Sequence, residues 1–391
     1  MAGHRLKPGW KVWRFDQMAI NVNDRIDNPS EADVEHYVGL EHLDPDSLRI
    51  RRWGVPTDVE ATKLCFRKGD IIFGRRRVYQ RKLAVAEFDG ICSAHAMVLR
   101  PQKDVVLPEF LPFFMQSDLF MTRALEISVG SLSPTINWKT LAVQEFALPP
   151  LEEQRRIAAL LESSQRLVET NRFLAEKLGS LVASYAKQHL ATHLDTFPTS
   201  TIPDLTDRLT VGIVVRPADW YVPVNSGIPA LRSLNVFPGR LEMADLARIS
   251  DEGHSYHKKS QLHAGDVVIV RTGRPGDAAV IPHDIGPLNC IDLIVVTPNS
   301  RILPEYLAHY LNSPVGRQQF AAGSAGTAQQ HFNVKEFRNL EIPCPPIDIQ
   351  SSFVSDLLAI ESGYANAKNR FEWCSKNHHL LVTRSVGDWC E

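Results

Sequence analysis

Apolar and small residues recur at alternating steps of four and three along residues 148–188. This spacing places them on one face of a helix that packs against another helix. Pro149-Pro150 suits a helix start, and Glu152-Glu153 falls in the first turn, where carboxylates complement the helix dipole. The pattern predicts a helix of roughly 35 residues, or about 50 Å at 1.5 Å per residue. Its seam comprises Ile157, Leu161, Ser164, Val168, Asn171, Ala175, Leu178, Val182 and Tyr185.

A second copy of this pattern begins at Pro345-Pro346, which follows Pro149-Pro150 by 345 − 149 = 196 positions. One such stripe alone fits a helix buried in a domain core equally well. Two long helices with the same start and register favour a helix pair between domains. The second seam comprises Phe353, Leu357, Ile360, Tyr364, Ala367, Phe371, Cys374, His378 and Leu381. The residues predicted to pair the helices or to dock partners are Leu151, Gln154, Ile157, Leu161, Val168, Leu178, Phe353, Leu357, Ile360, Tyr364 and Phe371.

The segments that precede the two helices share landmarks at the same offset. Gly69-Asp70 matches Gly265-Asp266 before an apolar run, and Leu107-Pro108-Glu109 matches Leu303-Pro304-Glu305 at a predicted helix start. A single offset through strand, helix and loop indicates an internal duplication. The sequence therefore predicts an α+β fold with two similar domains, each a small β-rich core with helices.

The predicted boundaries follow from these landmarks. The two domains are expected at residues 1–148 and 191–344, and the two long helices with the C-terminal tail at residues 149–190 and 345–391. A linker is expected near residues 191–203. Within the first domain, residues 91–99 predict one strand and residues 107–121 predict one helix that begins near Pro108.

Composition narrows the class of protein without identifying it. The 391 residues carry a net charge of −2, with 44% hydrophobic and 23% charged residues, as in ordinary soluble proteins. No run of about 18 apolar residues is present, so no membrane span is expected. The six cysteines show no CxxC spacing, which fits a reducing cytoplasm rather than a disulfide framework or a zinc site.

Motifs for catalysis are missing from the sequence. It contains no GxxxxGK(S/T) phosphate loop, no HExxH and no GxSxG. Asp70 and Asp266 each precede a β run and fit either a nuclease carboxylate or a turn aspartate. The 14 histidines show no metal-ligand spacing, so no metal site is predicted.

The segment RRRVYQRK at residues 75–82 is the strongest candidate for binding chemistry, because it carries five basic residues and no acidic one directly after an apolar strand. As a loop or hairpin end it could neutralise DNA phosphates and reach guanine edges. Alone it fits a solvated basic loop equally well, but Arg271 and Arg274 follow the matching strand of the second copy. Polar loops at residues 130–137 and 323–333 add side chains that can bond bases or phosphates. The candidate DNA-binding residues are Arg75, Arg76, Arg77, Tyr79, Arg81, Lys82, Ser131, Ser133, Thr135, Asn137, Lys258, Lys259, Arg271, Thr272, Arg274, Gln329, Gln330, His331 and Asn333.

The chain resembles a known family at several of these motifs. They are the helix LPPLEEQRRIAALLESSQRLVE, its second copy PCPPIDIQSSFVSDLLAIES, the two Gly-Asp strand entries and the LPEFL and LPEYL helix starts. Together they resemble the specificity subunit of type I restriction-modification systems. The resemblance implies two target-recognition domains and two helical regions that pair as an antiparallel coiled coil.

The same resemblance implies a function and a set of partners. Each domain would bind one half of a split, asymmetric site in double-stranded DNA, while the helices set the unread spacer and dock two modification subunits, which would methylate adenine. S-adenosylmethionine, ATP and magnesium are then expected in the modification and restriction (translocase) subunits of a cytoplasmic complex, and no cofactor is expected in this chain. In the second copy Asp348-Ile349 replaces Glu152-Glu153, which leaves the docking surface on that side less defined.

Two other classes of function stay open at the level of sequence. A duplicated nuclease or a self-contained modification enzyme would need a catalytic cluster that the motifs do not show, and it would cleave or methylate DNA without partners. A tether that binds only proteins would retain no DNA at any salt concentration.

Overall fold

The computed structural model describes residues 6–323 and 332–387. The chain divides into two compact units. The first unit contains the residues up to 173 together with those from 368 onward, and the second unit contains residues 174–367. Each unit therefore combines one β-rich domain with a part of each long helix.

The first domain consists of short strands and short helices, and a long helix follows it. In chain order they are β1 (Lys11–Arg14), α1 (Phe15–Met18), β2 (Ala19–Val22), β3 (Arg25–Ile26), β4 (Tyr37–Val38), β5 (Lys63–Phe66), β6 (Ile71–Gly74), β7 (Leu83–Val85), β8 (Gly90–Cys92), β9 (Ala96–Pro101), α2 (Leu111–Gln116), α3 (Asp118–Glu126), α4 (Trp138–Ala142), β10 (Glu145–Leu148) and α5 (Leu151–Thr196).

The second domain and its long helix follow a closely similar order. The elements are β11 (Thr199–Thr201), α6 (Ile202–Leu205), β12 (Thr206–Val211), β13 (Ile228–Leu231), β14 (Val236–Phe237), β15 (Arg240–Leu241), β16 (Ala247–Ile249), α7 (Asp251–Tyr256), β17 (Gln261–Leu262), β18 (Val267–Val270), β19 (Ala278–Val280), β20 (Leu288–Cys290), β21 (Leu293–Pro298), α8 (Pro304–Asn312), α9 (Pro314–Gly323), α10 (Val334–Arg338), β22 (Glu341–Pro343) and α11 (Ile347–Gly387).

Strand β6 lies between the two cores of the first domain. Its sheet has the order β2-β9-β6-β7, and a second sheet has the order β3-β5-β8-β4. Ile71 and Phe73 contact the core that α2 and α3 complete, whereas Ile72 faces the core formed with the second sheet. Because successive side chains of a strand point to opposite faces, a strand covered on both faces is apolar at every position.

The second domain repeats this arrangement in its sheets β12-β21-β18-β19 and β16-β13-β20-β17. Val267 and Ile269 of β18 contact one core, while Val268 and Val270 contact the other. The two domains differ at the edges of this sheet. Strand β16 extends it beside β13, the counterpart of β4, whereas β3 extends the sheet of the first domain at the opposite edge, beside β5. The predicted duplication is therefore present in the fold.

The first long helix is longer than the sequence predicts. Helix α5 contains 46 residues rather than roughly 35 and runs to Thr196. The linker predicted near residues 191–203 is wrong, because the helix continues through its first half and Thr199–Thr201 then pairs with β22 as strand β11. Gly179 does not end the helix; a Cβ built there would lie 3.2 Å from the Tyr364 ring, so glycine leaves room for that ring.

Contacts between α5 and α11 run in opposite chain directions within each unit. In the first unit Nδ1 of His378 lies 3.1 Å from Oγ of Ser164, and Nδ2 of Asn171 lies 3.8 Å from Sγ of Cys374. In the second unit the Tyr185 hydroxyl donates to Asp356 over 3.0 Å. The helices thus pair antiparallel, and every residue of both predicted seams is buried or half-buried. Gln154 is fully buried, while Leu151 is 37% exposed.

Candidate nucleic-acid interface

The basic segment at residues 75–82 forms the hairpin connection between β6 and β7, which pair antiparallel. We call it the first hairpin. Arg77 and Arg81 flank a short helical turn at Val78–Gln80, and both have left-handed backbone angles, with φ of 59° and 52°. Residues other than glycine rarely adopt this backbone conformation, and those that do cluster at functional sites.

The polar loop predicted at residues 130–137 packs directly against the first hairpin. The backbone NH of Ile136 donates to the Arg75 carbonyl over 3.0 Å, and the NH of Arg77 donates to the Pro134 carbonyl over 2.7 Å. Nε of Arg77 donates to Oγ of Ser133 over 3.3 Å. Thr135 is half-buried beside them, while Ser131 and Asn137 are exposed. The structure therefore brings the two predicted polar segments together on one surface.

His95, which the sequence reasoning missed, completes this surface. It occupies the turn between β8 and β9, and its carbonyl accepts from the NH of Arg75 over 3.2 Å. Its Nε2 lies 3.5 Å from Nη1 of Arg76. Burial, followed by the charges of Arg76 and Arg75, lowers the pKa of the His95 imidazole. The only sequence signal is its position directly before a strand, which identifies no function.

The basic side chains of the first hairpin fall into two groups. Among the described residues, no carboxylate forms an ion pair with Arg75, Arg76 or Arg77. By contrast, Arg81 pairs with Asp46 and with Asp118 and donates to the Gln116 carbonyl. Lys82 donates to the Leu40 carbonyl over 2.6 Å, and Tyr79 is 54% exposed. Arg81 and Lys82 thus hold the hairpin in place, and their predicted DNA contacts stay predictions.

The second hairpin, residues 271–277 between β18 and β19, has a different electrostatic environment. Nη1 of Arg271 lies 3.3 Å from Oδ1 of Asp292, and the Thr272 hydroxyl donates to Oδ2 of the same carboxylate over 3.1 Å. Arg274 pairs with Asp277 over 3.4 Å, and its guanidinium lies 4.3 Å from the Phe237 ring centre. Asp292 is a second residue that the sequence reasoning missed.

The loop opposite the second hairpin is described in part. The NH of Phe332 donates to the Arg271 carbonyl over 2.8 Å, which is the counterpart of the bond between Ile136 and Arg75. Asn333 caps α10 by accepting from the NH of Lys335 over 3.1 Å. The predicted contacts Gln329, Gln330 and His331 lie outside the described residues.

Lys258 and Lys259 are exposed just before β17. The ring of Tyr256, which is 74% exposed, stacks on Trp220 with centroids 5.5 Å apart. Val214 and Val215 are 53% and 73% exposed, and the neighbouring Ile213 carbonyl accepts from the NH of Asp292. These aromatic and apolar groups were absent from the prediction, because hydrophobic patterning assigns such residues to a core.

Asp70 and Asp266 have structural partners at the entrances to β6 and β18. Asp70 is 2% exposed, accepts from the NH of Arg67 over 2.8 Å and binds Arg100 over 2.7 Å. Asp266 accepts from the NH of His263 over 2.7 Å and pairs with Arg208. Both carboxylates have the contacts of turn aspartates.

The part of the chain that the structure describes offers neither a cluster of metal ligands nor a membrane-spanning helix. In residues 6–323 and 332–387, no three His, Cys, Asp or Glu side chains form a group that could hold a metal ion. None of the helices that the structure describes is both long and apolar enough to span a membrane.

Comparison with known proteins identifies the family. The family described as the type I restriction modification DNA specificity domain matches residues 59–178 and 231–368, one match in each half. These matches cover more than half of the chain. The chain therefore belongs to the family of type I restriction-modification specificity subunits, as its motifs indicated.

Individual relatives are distant in sequence. The type I restriction enzyme EcoBI specificity subunit of Escherichia coli is 23% identical over 245 residues, which cover 55% of this chain and 51% of that subunit. The chain thus spans about half the length of that relative. The putative MjaX specificity subunit of Methanocaldococcus jannaschii is 22% identical over 90% of this chain and 87% of its own length.

Solved structures share the fold. A chain from a study of complex assembly and conformational transition of the type I R-M system matches with a TM-score of 0.59 and 20% identity, over 98% of this chain and 99% of that one. The S subunit from M. genitalium gives a TM-score of 0.54 and 14% identity, over 99% and 98%. The predicted α+β fold with two similar domains and two long helices is confirmed.

Proposed function

We propose that this specificity subunit binds a split, asymmetric site in double-stranded DNA, with one domain for each half. One observation carries the proposal: in each domain the hairpin accepts an equivalent backbone bond from the segment that precedes α4 or α10, from Ile136 to Arg75 and from Phe332 to Arg271. The scaffold is common to both, whereas the side chains on it differ. Similar scaffolds with different polar surfaces are suited to reading two different base sequences.

The long helices are proposed to set the unread spacer and to dock two modification subunits together with the restriction subunits. Leucines at seven-residue intervals form an exposed stripe along α5, in addition to the buried seam. Leu160, Leu167, Leu174 and Leu181 are 50%, 60%, 45% and 45% exposed. A heptad stripe left exposed on a paired helix is suited to a further helix from a partner.

The chain itself is proposed to be non-catalytic, with S-adenosylmethionine, ATP and magnesium bound by its partner subunits in the cytoplasm. The purified chain, incubated with plasmid, magnesium and S-adenosylmethionine, should neither cleave nor methylate the DNA. Either activity would instead indicate the alternative, a nuclease or a self-contained modification enzyme.

The decisive experiment maps modified adenines in the DNA of cells that carry this chain with its modification subunits. A two-part motif with a fixed gap is the expected result. An undivided motif, or no chain-dependent modification and no DNA retention by the complex, would contradict the proposal and favour a protein tether.

A further inference from the structure

The two hairpins differ in the charge that neighbours their arginines. In the first hairpin Arg76 lies beside His95 and Arg77 beside Ser133, and none of Arg75, Arg76 and Arg77 has a carboxylate partner among the described residues. In the second hairpin Arg271 pairs with Asp292, and Asp277 pairs with both Arg274 and Arg317. An arginine already paired with a carboxylate gains less from a phosphate, because the local field is close to neutral.

One position accounts for the part of this difference that concerns Arg271. His95 directly precedes β9 and Asp292 directly precedes β21, so the two residues occupy the same turn of the duplicated fold. His95 lies beside Arg76 over 3.5 Å, whereas Asp292 lies beside Arg271 over 3.3 Å. Thr272 also binds Asp292, so the carboxylate fixes two hairpin side chains at once.

We infer that the first hairpin is the phosphate-binding element and that the second hairpin is not, with the residue at position 95 or 292 as one determinant of the difference. The inference rests on the proposed DNA binding and assigns a different role in that binding to each hairpin. The first hairpin supplies salt-dependent affinity through guanidinium groups that have no carboxylate partner among the described residues. The second presents a preorganised Arg271–Asp292–Thr272 group, whose polar atoms are suited to base edges rather than to the uniform backbone.

The salt dependence of DNA binding shows which hairpin makes the phosphate contacts. The probe is a short fluorescent duplex of random sequence, titrated with the full chain in complex with its modification subunits at several salt concentrations. Log affinity falls as log salt rises, and the magnitude of this fall is the salt slope. Each lost phosphate contact lowers the salt slope by about 0.9. The triple variant R75A/R76A/R77A should lower the slope by about 2 to 3 on this scale. The double variant R271A/R274A should leave it within error of the wild type.

A matched control removes the same charge elsewhere in the first unit. In R14A/R49A/R123A each lost arginine had a carboxylate partner, namely Asp16, Glu87 and Glu126, and none belongs to the hairpin. This variant should keep the wild-type slope. If it lowers the slope as much as R75A/R76A/R77A does, the effect reflects net charge and the inference is wrong.

Substitutions of His95, in the exposed turn between β8 and β9, test whether this position determines phosphate binding. H95D places a carboxylate beside Arg75 and Arg76 and should lower the slope by about one phosphate contact relative to the neutral control H95N. Equal slopes for H95D and H95N, or a loss in R271A/R274A equal to that of the triple variant, would overturn the inference. A wild-type complex that retains no duplex at low salt would instead contradict the proposed function.

Discussion

Gln154 and Gln350 make the same three hydrogen bonds in the two units. Oε1 accepts from the NH of Leu107 or Leu303 over 2.9 Å in both cases. Nε2 donates to the carbonyls of Val105 and Pro149 in the first unit, and to those of Arg301 and Pro345 in the second. Both side chains are fully buried, so each glutamine ties the start of a long helix to its own domain.

Replacing either glutamine should destabilise the unit that contains it. Q154A removes one buried and two partly buried hydrogen bonds, and a buried group left without its partner costs about 1–3 kcal/mol. We expect a loss of about 2–4 kcal/mol for Q154A and for Q350A, measured by urea denaturation followed by circular dichroism. Q188A, at an exposed position of α5, is the control and should change little. An equal loss in the control would show that the buried bonds are not the cause.

Two glycines in the helix pair of the second unit should respond differently to alanine. A Cβ at Gly363 would lie 3.8 Å from Leu178, an ordinary contact, whereas a Cβ at Gly179 would lie 3.2 Å from the Tyr364 ring. Alanine is favoured over glycine inside a helix by about 1 kcal/mol. G363A should therefore raise the unfolding free energy by nearly that amount, and G179A should raise it less. A larger gain for G179A would contradict the contact with Tyr364.

Much of the fold could be predicted because the chain contains its pattern twice. The offset of 196 survives in strand entries, helix starts and both seams, and agreement between two copies separates signal from coincidence. Element ends were less predictable. The strand predicted at residues 91–99 divides into β8 and β9, and the helix predicted at residues 107–121 divides into α2 and α3. Ser117 ends one helix and caps the next, a local bond that apolar periodicity does not reveal.

The interface was predictable only in part, for an electrostatic reason. Composition showed five basic residues at 75–82, but it could not show that Arg81 pairs with Asp46 and Asp118, which are distant in the sequence. Nor could it place His95 and Asp292 beside the hairpins. Long-range partners decide which charges are available to a ligand, and those partners are set by the sheet topology.

Arg81 and Arg77 should separate structural from binding roles within one hairpin. R81A removes a guanidinium that holds Asp46, Asp118 and a carbonyl, and bonds to charged groups contribute about 1.5–3 kcal/mol. We expect R81A to lower the melting temperature measurably. R77A loses a single exposed bond to Ser133, so it should retain stability within about 0.5 kcal/mol while weakening DNA binding. The reverse pattern in calorimetry and DNA titration would contradict these assignments.

His378 should make stability fall on acidification. Burial and the neighbouring His379 lower the pKa of His378, while Asp46 opposes them in part. Because the unfolded imidazole titrates near 6.5, the unfolded state binds more protons than the folded state below that pH. The contribution of His378 to the free energy of unfolding is complete above pH 6.5 and declines as the pH falls toward the lowered pKa of its imidazole. His193 and His309, whose pKa values burial also lowers, should contribute in the same direction.

The check compares urea denaturation of the wild type and H378N above and below this pH. H378N should lose less stability on acidification than the wild type, while the other two histidines keep part of the dependence. H283N is a suitable control, because His283 is exposed and is not among the groups that shift the pKa of His378. An unchanged pH dependence in H378N would show that the contact between His378 and Ser164 tolerates the imidazolium.

The leucine stripe on α5 should matter for assembly and not for folding. Leu167 is 60% exposed, and Leu160 is 50% exposed one heptad earlier. L160E and L167E should each leave the unfolding free energy of the chain within about 0.5 kcal/mol, because exposed substitutions rarely cost more. Both should weaken binding of the modification subunits, since a carboxylate cannot enter an apolar helix interface without losing its hydration. Size-exclusion chromatography of the mixed subunits measures the loss.

Position 183 provides the matched control for this experiment. Ala183 is exposed on the same helix, and its offset of 16 residues from Leu167 places it on nearly the opposite face at 3.6 residues per turn. A183E introduces the same charge as L167E but should leave the complex intact. If L167E assembles as the wild type does, the stripe is not a docking surface. If A183E and L167E both fail to assemble, the added charge on the helix explains the loss, and the leucines have no special role.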